Sequence, residues 1–207
     1  MYNIFKRIID FLLSLVALIL LSPLFLIIAI WIKLNSKGPV FFKQNRVGKN
    51  KELFEIYKFR SMRSDTPADM PTHLLNDPEA FITTSGKFLR KTSLDELPQL
   101  INIVKGEMAI IGPRPALWNQ YDLIEERDKY GANDVRPGLS GWAQINGRDE
   151  LEIPVKAKLD GDYVDNISLT FDLKCLFGTI SSVLRSDGVV EGGTGVIEKA
   201  KKEVSNR

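Results

Sequence analysis

Residues 92–100 read Thr92-Ser93-Leu94-Asp95-Glu96-Leu97-Pro98-Gln99-Leu100, and the rest of the chain can be placed relative to them. Ser93 and Glu96 have the spacing of a capping box, in which each side chain bonds the backbone N–H of the other residue. This pattern predicts a helix that begins near Leu94. An apolar i, i+3, i+4, i+7 face predicts that the helix continues until Gly106, a residue type that often ends helices.

Asp95 and Glu96 are adjacent carboxylates in the first turn of this predicted helix. The unpaired N–H groups and the positive end of the helix dipole favour their ionised form there. Two interpretations follow. Acidic residues are common in a first turn because they stabilise the helix, so the pair could be a simple cap. Alternatively, an exposed carboxylate could ligate a divalent metal ion or attack phosphorus.

Cationic side chains lie on both sides of this stretch. Three precede it, namely Lys87, Arg90 and Lys91. The run that follows it ends in a turn with one arginine between two prolines, Ile110-Ile111-Gly112-Pro113-Arg114-Pro115. Because proline fixes φ, this turn fixes the direction of the guanidinium, which suits bidentate binding of a phosphate. Carboxylates, cations and a rigid turn together indicate a metal-assisted phosphate site.

An apolar segment near the N-terminus contains 22 uncharged residues, 11–32. At about 1.5 Å per residue it could cross a hydrocarbon layer of about 30 Å. Pro23 removes one N–H, which predicts a bend there and a bond from the Ser22 hydroxyl to the carbonyl left free. Lys6 and Arg7 before the segment, and a basic block after it, favour a re-entrant helix with both ends on the cytoplasmic face. A kinked spanning helix is the alternative.

Charge is distributed unevenly along the chain. Residues 33–63 carry nine Lys or Arg and two Glu, whereas residues 64–207 carry 17 basic and 23 acidic residues. A strongly basic block directly after an apolar segment indicates contact with a membrane surface or an anionic substrate, and nucleic acid is not the expected partner. The single cysteine, Cys175, excludes a disulfide framework, and the single histidine, His73, argues against a zinc site.

The remaining segments predict an α+β domain that is mainly helical and has a small β-hairpin. Residues 40–42 and 53–59 are predicted to be strands joined through residues 48–50. Helices are predicted at residues 84–91, 117–129, 152–166 and 170–185, the last capped by Thr170. Residues 135–148 hold too many Gly and Pro for one regular element and predict a structured loop. The apolar stripe of the last helix predicts core packing, with contact to a bilayer as the alternative.

Several long motifs follow one another along nearly the whole chain: Ser22-Pro23, Tyr57-Lys58-Phe59-Arg60-Ser61-Met62, residues 93–100, Gly112-Pro113-Arg114-Pro115, Arg136-Pro137-Gly138 and Gly141-Trp142-Ala143-Gln144-Ile145-Asn146-Gly147-Arg148. In these motifs the chain resembles the small form of the bacterial sugar transferases called monotopic phosphoglycosyl transferases. The resemblance implies a re-entrant membrane helix broken at Ser22-Pro23 (residues 1–34), a catalytic domain on the cytoplasmic face of the bacterial inner membrane (35–190) and a flexible tail (191–207).

The resemblance also implies an activity. Such an enzyme starts the synthesis of a cell-surface glycan, exopolysaccharide or capsule by moving a sugar 1-phosphate from a UDP-sugar to undecaprenyl (polyprenol) phosphate, and it releases UMP. Asp95 would be the nucleophile and Glu96 its partner, and both would ligate Mg²⁺. Substrate-binding positions would be Lys58, Arg60, Arg90, Arg114, Arg136 and Asp160. Asp162 departs from the aromatic or apolar residue expected there, so this last role could fall on either aspartate.

Two other functions would use parts of the sequence. Asp160-Gly161-Asp162 is an Asp-x-Asp pattern of the kind found in metal-dependent glycosyltransferases that release UDP, but no repeated strand and helix units precede it to bind a nucleotide. A non-enzymatic membrane adaptor could use the basic block. It would leave the Asp95-Glu96 pair and Pro113-Arg114-Pro115 without a role.

Overall fold

The computed structural model describes residues 2–67, 78–147 and 151–185. The predicted tail, His73 and Arg148 lie outside these ranges. The described chain is α+β and mainly helical, as predicted. Its helices and strands are, in order, α1 (Tyr2–Asn35), β1 (Phe41–Val47), β2 (Leu53–Phe59), α2 (Pro78–Phe81), α3 (Thr84–Lys91), α4 (Gln99–Lys105), β3 (Ala109–Ile111), α5 (Tyr121–Asp128), β4 (Gly138–Ser140), α6 (Trp142–Ile145), α7 (Ile153–Asp165) and α8 (Leu169–Arg185).

Strands β1 and β2 form the predicted antiparallel hairpin. Phe41 pairs with Phe59 and Val47 with Leu53, so β1 is longer than its apolar start suggests. The connection turns at Asn50, whose φ is 54°, a left-handed value that asparagine tolerates better than most residues. One face of the hairpin is buried in the core, and the second strand carries Lys58 on that face.

A second, parallel pair of strands was not predicted. In this pair Ala109 of β3 lies opposite Gly138 of β4. The two backbones approach so closely that a Cβ on Gly138 would lie 2.1 Å from the Gly112 nitrogen, so a side chain has no room at this position. The expectation of a loop over residues 135–148 is therefore wrong, because the segment contains β4 and α6.

Helix α1 runs through Pro23 in helical conformation. The Ser22 hydroxyl donates a 2.8 Å hydrogen bond to the Ile19 carbonyl, the acceptor that the missing N–H of Pro23 would have used. This contact confirms the predicted role of the Ser22 side chain. By length and composition, α1 is long and apolar enough to cross a membrane.

One stripe of α1 packs against the domain along the length of the helix, while the opposite face exposes large apolar side chains. The first buried cluster joins residues 17, 18 and 21 of α1 to Phe54, Ile56, Leu100, Ile103 and Met108. The second joins residues 24, 25, 28 and 32 to Val40, Phe59, Leu89, Leu94 and Leu97. Helix α1 is therefore part of the core of the domain.

Polar contacts fix both ends of α1 to the domain. Near its N-terminus, the Tyr2 hydroxyl and the Lys6 ammonium donate to the Asp172 carboxylate of α8 at 2.6 and 2.8 Å. At the other end, the Asn35 side-chain oxygen accepts a hydrogen bond from the Ser85 N–H at 3.1 Å. Both ends of the apolar helix therefore contact the same folded domain.

Helix α8 corrects two expectations. Its first turn is capped by Ser168, whose hydroxyl accepts the Phe171 N–H at 3.3 Å, and not by Thr170. The apolar stripe expected in the core faces outward, with Leu173, Leu176, Phe177 and Ile180 exposed. The buried side chains of this helix include Asp172 and Cys175. Helix α5 begins later than predicted, whereas α3 has its predicted bounds.

Candidate active site

The capping box predicted at residues 92–100 is absent. Ser93 has a left-handed φ of 55° and makes no side-chain cap, and Leu94–Glu96 form a single 3-10 turn before α4. The Glu96 carboxylate accepts hydrogen bonds from two side chains of other segments. Simple capping is therefore the wrong interpretation of the acidic pair. The predicted helix end is confirmed, because Gly106 follows α4 with a φ of 92°.

Two cations converge on Glu96. The Lys58 ammonium donates to Oε1 at 2.7 Å. The Arg114 guanidinium donates to Oε1 at 2.8 Å and reaches Oε2 at 3.5 Å. Burial alone would raise the pKa of Glu96, but Arg114 and Lys58 outweigh it and hold this pKa well below its usual range. Glu96 is therefore ionised and paired at neutral pH.

Asp95 differs from Glu96 both in its hydrogen bonds and in the direction of its pKa shift. It is 8% exposed, and among the described residues no side chain or backbone N–H donates a hydrogen bond to its carboxylate. Burial raises the pKa of Asp95 to about 6, with Lys58 opposing the rise and the Glu96 charge adding to it. Above this pH Asp95 is a buried carboxylate whose lone pairs are uncommitted.

Asn102 joins the helix that follows the acidic pair to the strand that carries Lys58. Its side-chain oxygen accepts the Tyr57 N–H at 3.0 Å, and its side-chain nitrogen donates to the Glu55 carbonyl at 2.7 Å. Because Asn102 is fully buried, these bonds form away from competing water. They fix α4 against β2 and so bring Lys58 to the start of α4.

The Pro113-Arg114-Pro115 turn is held from both sides. The Pro113 carbonyl accepts the Gly138 N–H at 2.8 Å. The Pro115 carbonyl accepts a hydrogen bond from the Arg46 guanidinium at 3.1 Å. The predicted rigidity of this turn therefore has a structural basis beyond the two proline rings, and the turn directs Arg114 toward Glu96.

Sequence reasoning missed Arg46 and Asn102, although both left a signal. Strand residues two apart share a face, and the hairpin register pairs Phe42 with Lys58. Arg46, four residues after Phe42, therefore lies on the same face of the hairpin as Lys58. Asn102 interrupts the apolar run of α4, and a buried polar side chain in such a run needs hydrogen-bond partners.

Five of the predicted site residues come together in the structure: Lys58, Arg90, Asp95, Glu96 and Arg114. Arg90 lies in the last turn of α3, near enough to Asp95 for its charge to oppose the raised pKa of that carboxyl. Three cations thus face two carboxylates. This excess of positive charge suits a pyrophosphate group.

Arg60 and Arg136 bond elsewhere. Arg60 is buried, and it donates to the carbonyls of Ser36 and Lys37, both at 2.7 Å, just beyond the end of α1. Arg136 donates to the Gly106 carbonyl at 2.8 Å, at the end of α4 remote from the acidic pair. Their roles in substrate binding stay predictions.

Asp160 pairs with Arg127 in the interior. The Arg127 guanidinium donates to the Asp160 carboxylate at 2.8 Å, and burial raises the pKa of Asp160 although Arg127 opposes the rise. Asp162 follows on the same helix, where residues two apart face different directions. Asp160-Gly161-Asp162 therefore does not present two carboxylates to one metal ion, which argues against an Asp-x-Asp glycosyltransferase.

Known proteins are similar in sequence to this chain over most of its length. The family model described as "Bacterial sugar transferase" matches residues 1–186. An uncharacterized sugar transferase of Bacillus subtilis, EpsL, is 41% identical over 186 residues, which are 90% of each chain. The exopolysaccharide production protein ExoY of Sinorhizobium fredii is 37% identical over 90% of this chain and 88% of its own. The UDP-glucose:undecaprenyl-phosphate glucose-1-phosphate transferase of Escherichia coli is 41% identical over 86% of this chain and 40% of its own. The chain therefore belongs to the bacterial sugar transferase family and is an enzyme of the transferase class.

Proposed function

We propose that this protein transfers a sugar 1-phosphate from a UDP-sugar to undecaprenyl phosphate, releases UMP, and uses Asp95 as a covalent nucleophile in cell-surface polysaccharide synthesis. The observation that carries the proposal is the contrast within the acidic pair. Asp95 is buried and accepts no hydrogen bond from the described residues, whereas Glu96 accepts bonds from Lys58 and Arg114. The substrate class is supported by the name of the Escherichia coli relative, which includes UDP-glucose and undecaprenyl phosphate.

The proposed reaction has two steps at one phosphorus atom. In the first, an Asp95 carboxylate oxygen attacks the β-phosphorus of the UDP-sugar, and the bond from this phosphorus to the bridging oxygen breaks as UMP leaves. In the second, a phosphate oxygen of undecaprenyl phosphate attacks the phosphorus that Asp95 holds. The lipid diphosphosugar forms and the Asp95 carboxylate is regenerated, so one difficult transfer becomes two easier ones.

The two cations on Glu96 have different access to a substrate. The Arg114 side chain is 37% exposed, whereas that of Lys58 is 16% exposed. We therefore expect Arg114 to contact the pyrophosphate and Lys58 to remain on Glu96. Such contacts stabilise the charge that develops on phosphate oxygens as the leaving group departs.

The donor set of the acidic pair fits Mg²⁺. Asp95 and Glu96 supply the hard oxygen ligands that this ion prefers, and they would hold it together with substrate phosphates and water. Within the described ranges no third His, Cys, Asp or Glu joins them to form a larger group, which is usual for Mg²⁺ bound with a phosphate substrate. When bound, the ion would neutralise charge on the pyrophosphate and on the departing UMP.

We further propose that both ends of α1 lie on the cytoplasmic face, with the exposed apolar side of the helix in the bilayer. Lys6 contacts Asp172 and Asn35 contacts Ser85, so both ends reach one domain. A helix that crossed about 30 Å of hydrocarbon would carry one end away from that domain. The basic residues on both sides of the apolar segment support the cytoplasmic location.

The acidic pair also lies close to this helix. Leu94 and Leu97, which flank the pair, pack in the same cluster as Ile28 and Ile32 of α1. The site would therefore open near the surface of the bilayer. This position suits an acceptor whose phosphate is attached to a long polyprenyl chain.

The nucleotide product tests the proposed reaction. Membranes that contain the protein should convert a suitable UDP-sugar, in a panel supplied with Mg²⁺ and undecaprenyl phosphate, to UMP and a lipid diphosphosugar. Without the lipid, wild-type enzyme should carry a phosphosugar that is absent from Asp95→Asn and present in Asp65→Asn, an exposed control. UDP with a lipid monophosphosugar would contradict the reaction. UMP without a trapped adduct would keep the reaction and remove the covalent step.

A further inference from the structure

A cavity lies between the first turns of α1 and the segment that leads into β4. Its charged lining consists of four cations and two carboxylates, Lys6, Arg7, Lys49, Arg136, Asp10 and Asp134. The acidic pair of the active site lies before α4, whereas Arg7 and Arg136 contact the residues at the end of that helix. The cavity is therefore separate from the catalytic centre.

Two guanidinium groups meet at the C-terminal end of α4. Arg7 donates to the carbonyls of Ile103 and Val104 at 2.6 and 3.0 Å. Arg136 donates through Nε to the Gly106 carbonyl at 2.8 Å. Arg7 also passes so close to Gly106 that a Cβ there would lie 3.0 Å from its Nη2 atom. Both groups therefore border the same glycine.

Capping of α4 accounts for only part of this arrangement. Carbonyls at a helix C-terminus attract cations, and Arg7 alone contacts two of them. A second guanidinium beside the first adds like-charge repulsion. The Nη atoms of Arg136 donate to no group in the described part of the chain. Adjacent guanidiniums with N–H groups still available are typical of a phosphate-binding site.

The neighbouring surface indicates what kind of phosphate compound would enter. On the same turns of α1 as Lys6 and Arg7, the side chains of Ile4, Phe5 and Ile8 are all more than half exposed. A small inorganic anion would gain nothing from this apolar surface. A lipid could pack its acyl chains there while its phosphate binds the two arginines.

We propose that this cavity binds the headgroup phosphate of an anionic phospholipid, with Arg7 and Arg136 as its ligands. The carboxylate of Asp134 reduces the positive charge of the lining and so limits the affinity. The bound lipid would join the first turns of α1 to the parallel strands. The proposal rests on the membrane location of α1 and not on the transfer reaction.

Thermal unfolding of the full chain in neutral detergent tests the choice of ligand. Phosphatidylglycerol should raise Tm in a saturable way, because a ligand that binds only the folded state stabilises it. Phosphatidylcholine and inorganic phosphate at matched concentrations should leave Tm unchanged. An equal rise with either of these two compounds would overturn the proposal.

Charge variants test the location of the site. Arg136→Gln should weaken the apparent affinity for phosphatidylglycerol about tenfold or more, since it removes charge-assisted hydrogen bonds. Lys129→Gln removes the same charge at a side chain that is 63% exposed on the surface, outside the lining, and should keep the response. Wild-type affinity in Arg136→Gln would overturn the proposal.

A gain-of-affinity variant keeps the test valid if Arg136→Gln does not fold. Asp134 is exposed, so Asp134→Asn should fold normally and raise the affinity about two- to fivefold by removing a repulsive charge. Unchanged or weaker affinity in Asp134→Asn would contradict the assigned site. Asp95→Asn should respond to the lipid as wild type does, so failure of the transfer reaction and failure of the lipid site can be told apart.

Discussion

Replacing Asp95 with Asn should abolish turnover and, in the same step, stabilise the protein against unfolding. Burial raises the pKa of Asp95 from 3.8 to about 6. The folded state therefore prefers the protonated carboxyl, and ionised Asp95 destabilises the fold. This difference in pKa corresponds to about 3 kcal/mol of unfolding free energy. An amide in the same position carries no charge and avoids this penalty.

The stabilisation should depend on pH with a defined sign. Below about pH 3 the carboxyl is protonated in both the folded and the unfolded state, so wild type and Asp95→Asn should unfold at the same temperature. The advantage of the variant should grow between about pH 4 and about pH 6, the two pKa values, and level off above this range. For a chain of 207 residues, about 3 kcal/mol corresponds to a rise in Tm of about 6–12 °C on that plateau.

Thermal unfolding of both proteins in one detergent buffer without Mg²⁺, from about pH 3 to about pH 8, measures this difference in stability. Asp65→Asn is the matched control, since Asp65 is 57% exposed and its replacement should bring no comparable stabilisation. Equal or lower stability of Asp95→Asn at the top of this range would refute the reasoning. Wild-type turnover should rise with pH, because the nucleophile must be ionised. Bound Mg²⁺ should place the inflection below the pKa of about 6 that Asp95 has without the ion.

Three further changes have defined outcomes. Glu96→Gln should impair turnover and lower Tm, because two cations lose their partner. It should also shift the inflection of any residual pH–rate profile downward, since the Glu96 charge helps to raise the pKa of Asp95. An unshifted inflection would count against this coupling. Arg60→Lys should lower Tm by several degrees without changing KM, because Arg60 bonds the carbonyls beyond α1; a higher KM at an unchanged Tm would favour a substrate contact instead. A cysteine in place of Asn3 should stay unlabelled by an impermeant thiol reagent added to intact cells, whereas labelling from outside would indicate a spanning helix.

Local sequence patterns predict those parts of the fold that depend on neighbouring residues. Strand alternation predicts the hairpin, and α3 has its predicted bounds because Thr83 caps it by accepting the Gly86 N–H. The β3–β4 pair depends on two three-residue strands distant in sequence. Strands this short show too little periodicity to be predicted from the sequence. The only sign that the two strands approach closely was the glycine content of residues 135–148.

The residues predicted for the site include five side chains that the fold brings together, Lys58, Arg90, Asp95, Glu96 and Arg114, but the motifs do not predict how these side chains pair. The capping-box prediction fails because Lys58 and Arg114 reach Glu96 from other segments, and hydrogen bonds between charged groups are stronger than a bond to the Ser93 N–H. In the same way, the partner of Asp160 is Arg127, which lies on another helix. Such partners become visible only when the fold brings the segments together.

The contact between Lys6 and Asp172 imposes an order on how the protein is made. Among the described elements, α1 is synthesised first and α8 last. Until Asp172 exists, Lys6 has Asp10, one turn along the helix, as its partner. The two core clusters that include α1 stay incomplete until Leu97 and Leu139, their last members in sequence, have been synthesised. With α1 at the bilayer as proposed, we expect the nascent helix to enter the membrane before the domain is complete. A soluble fragment made without α1 should expose apolar surface and aggregate.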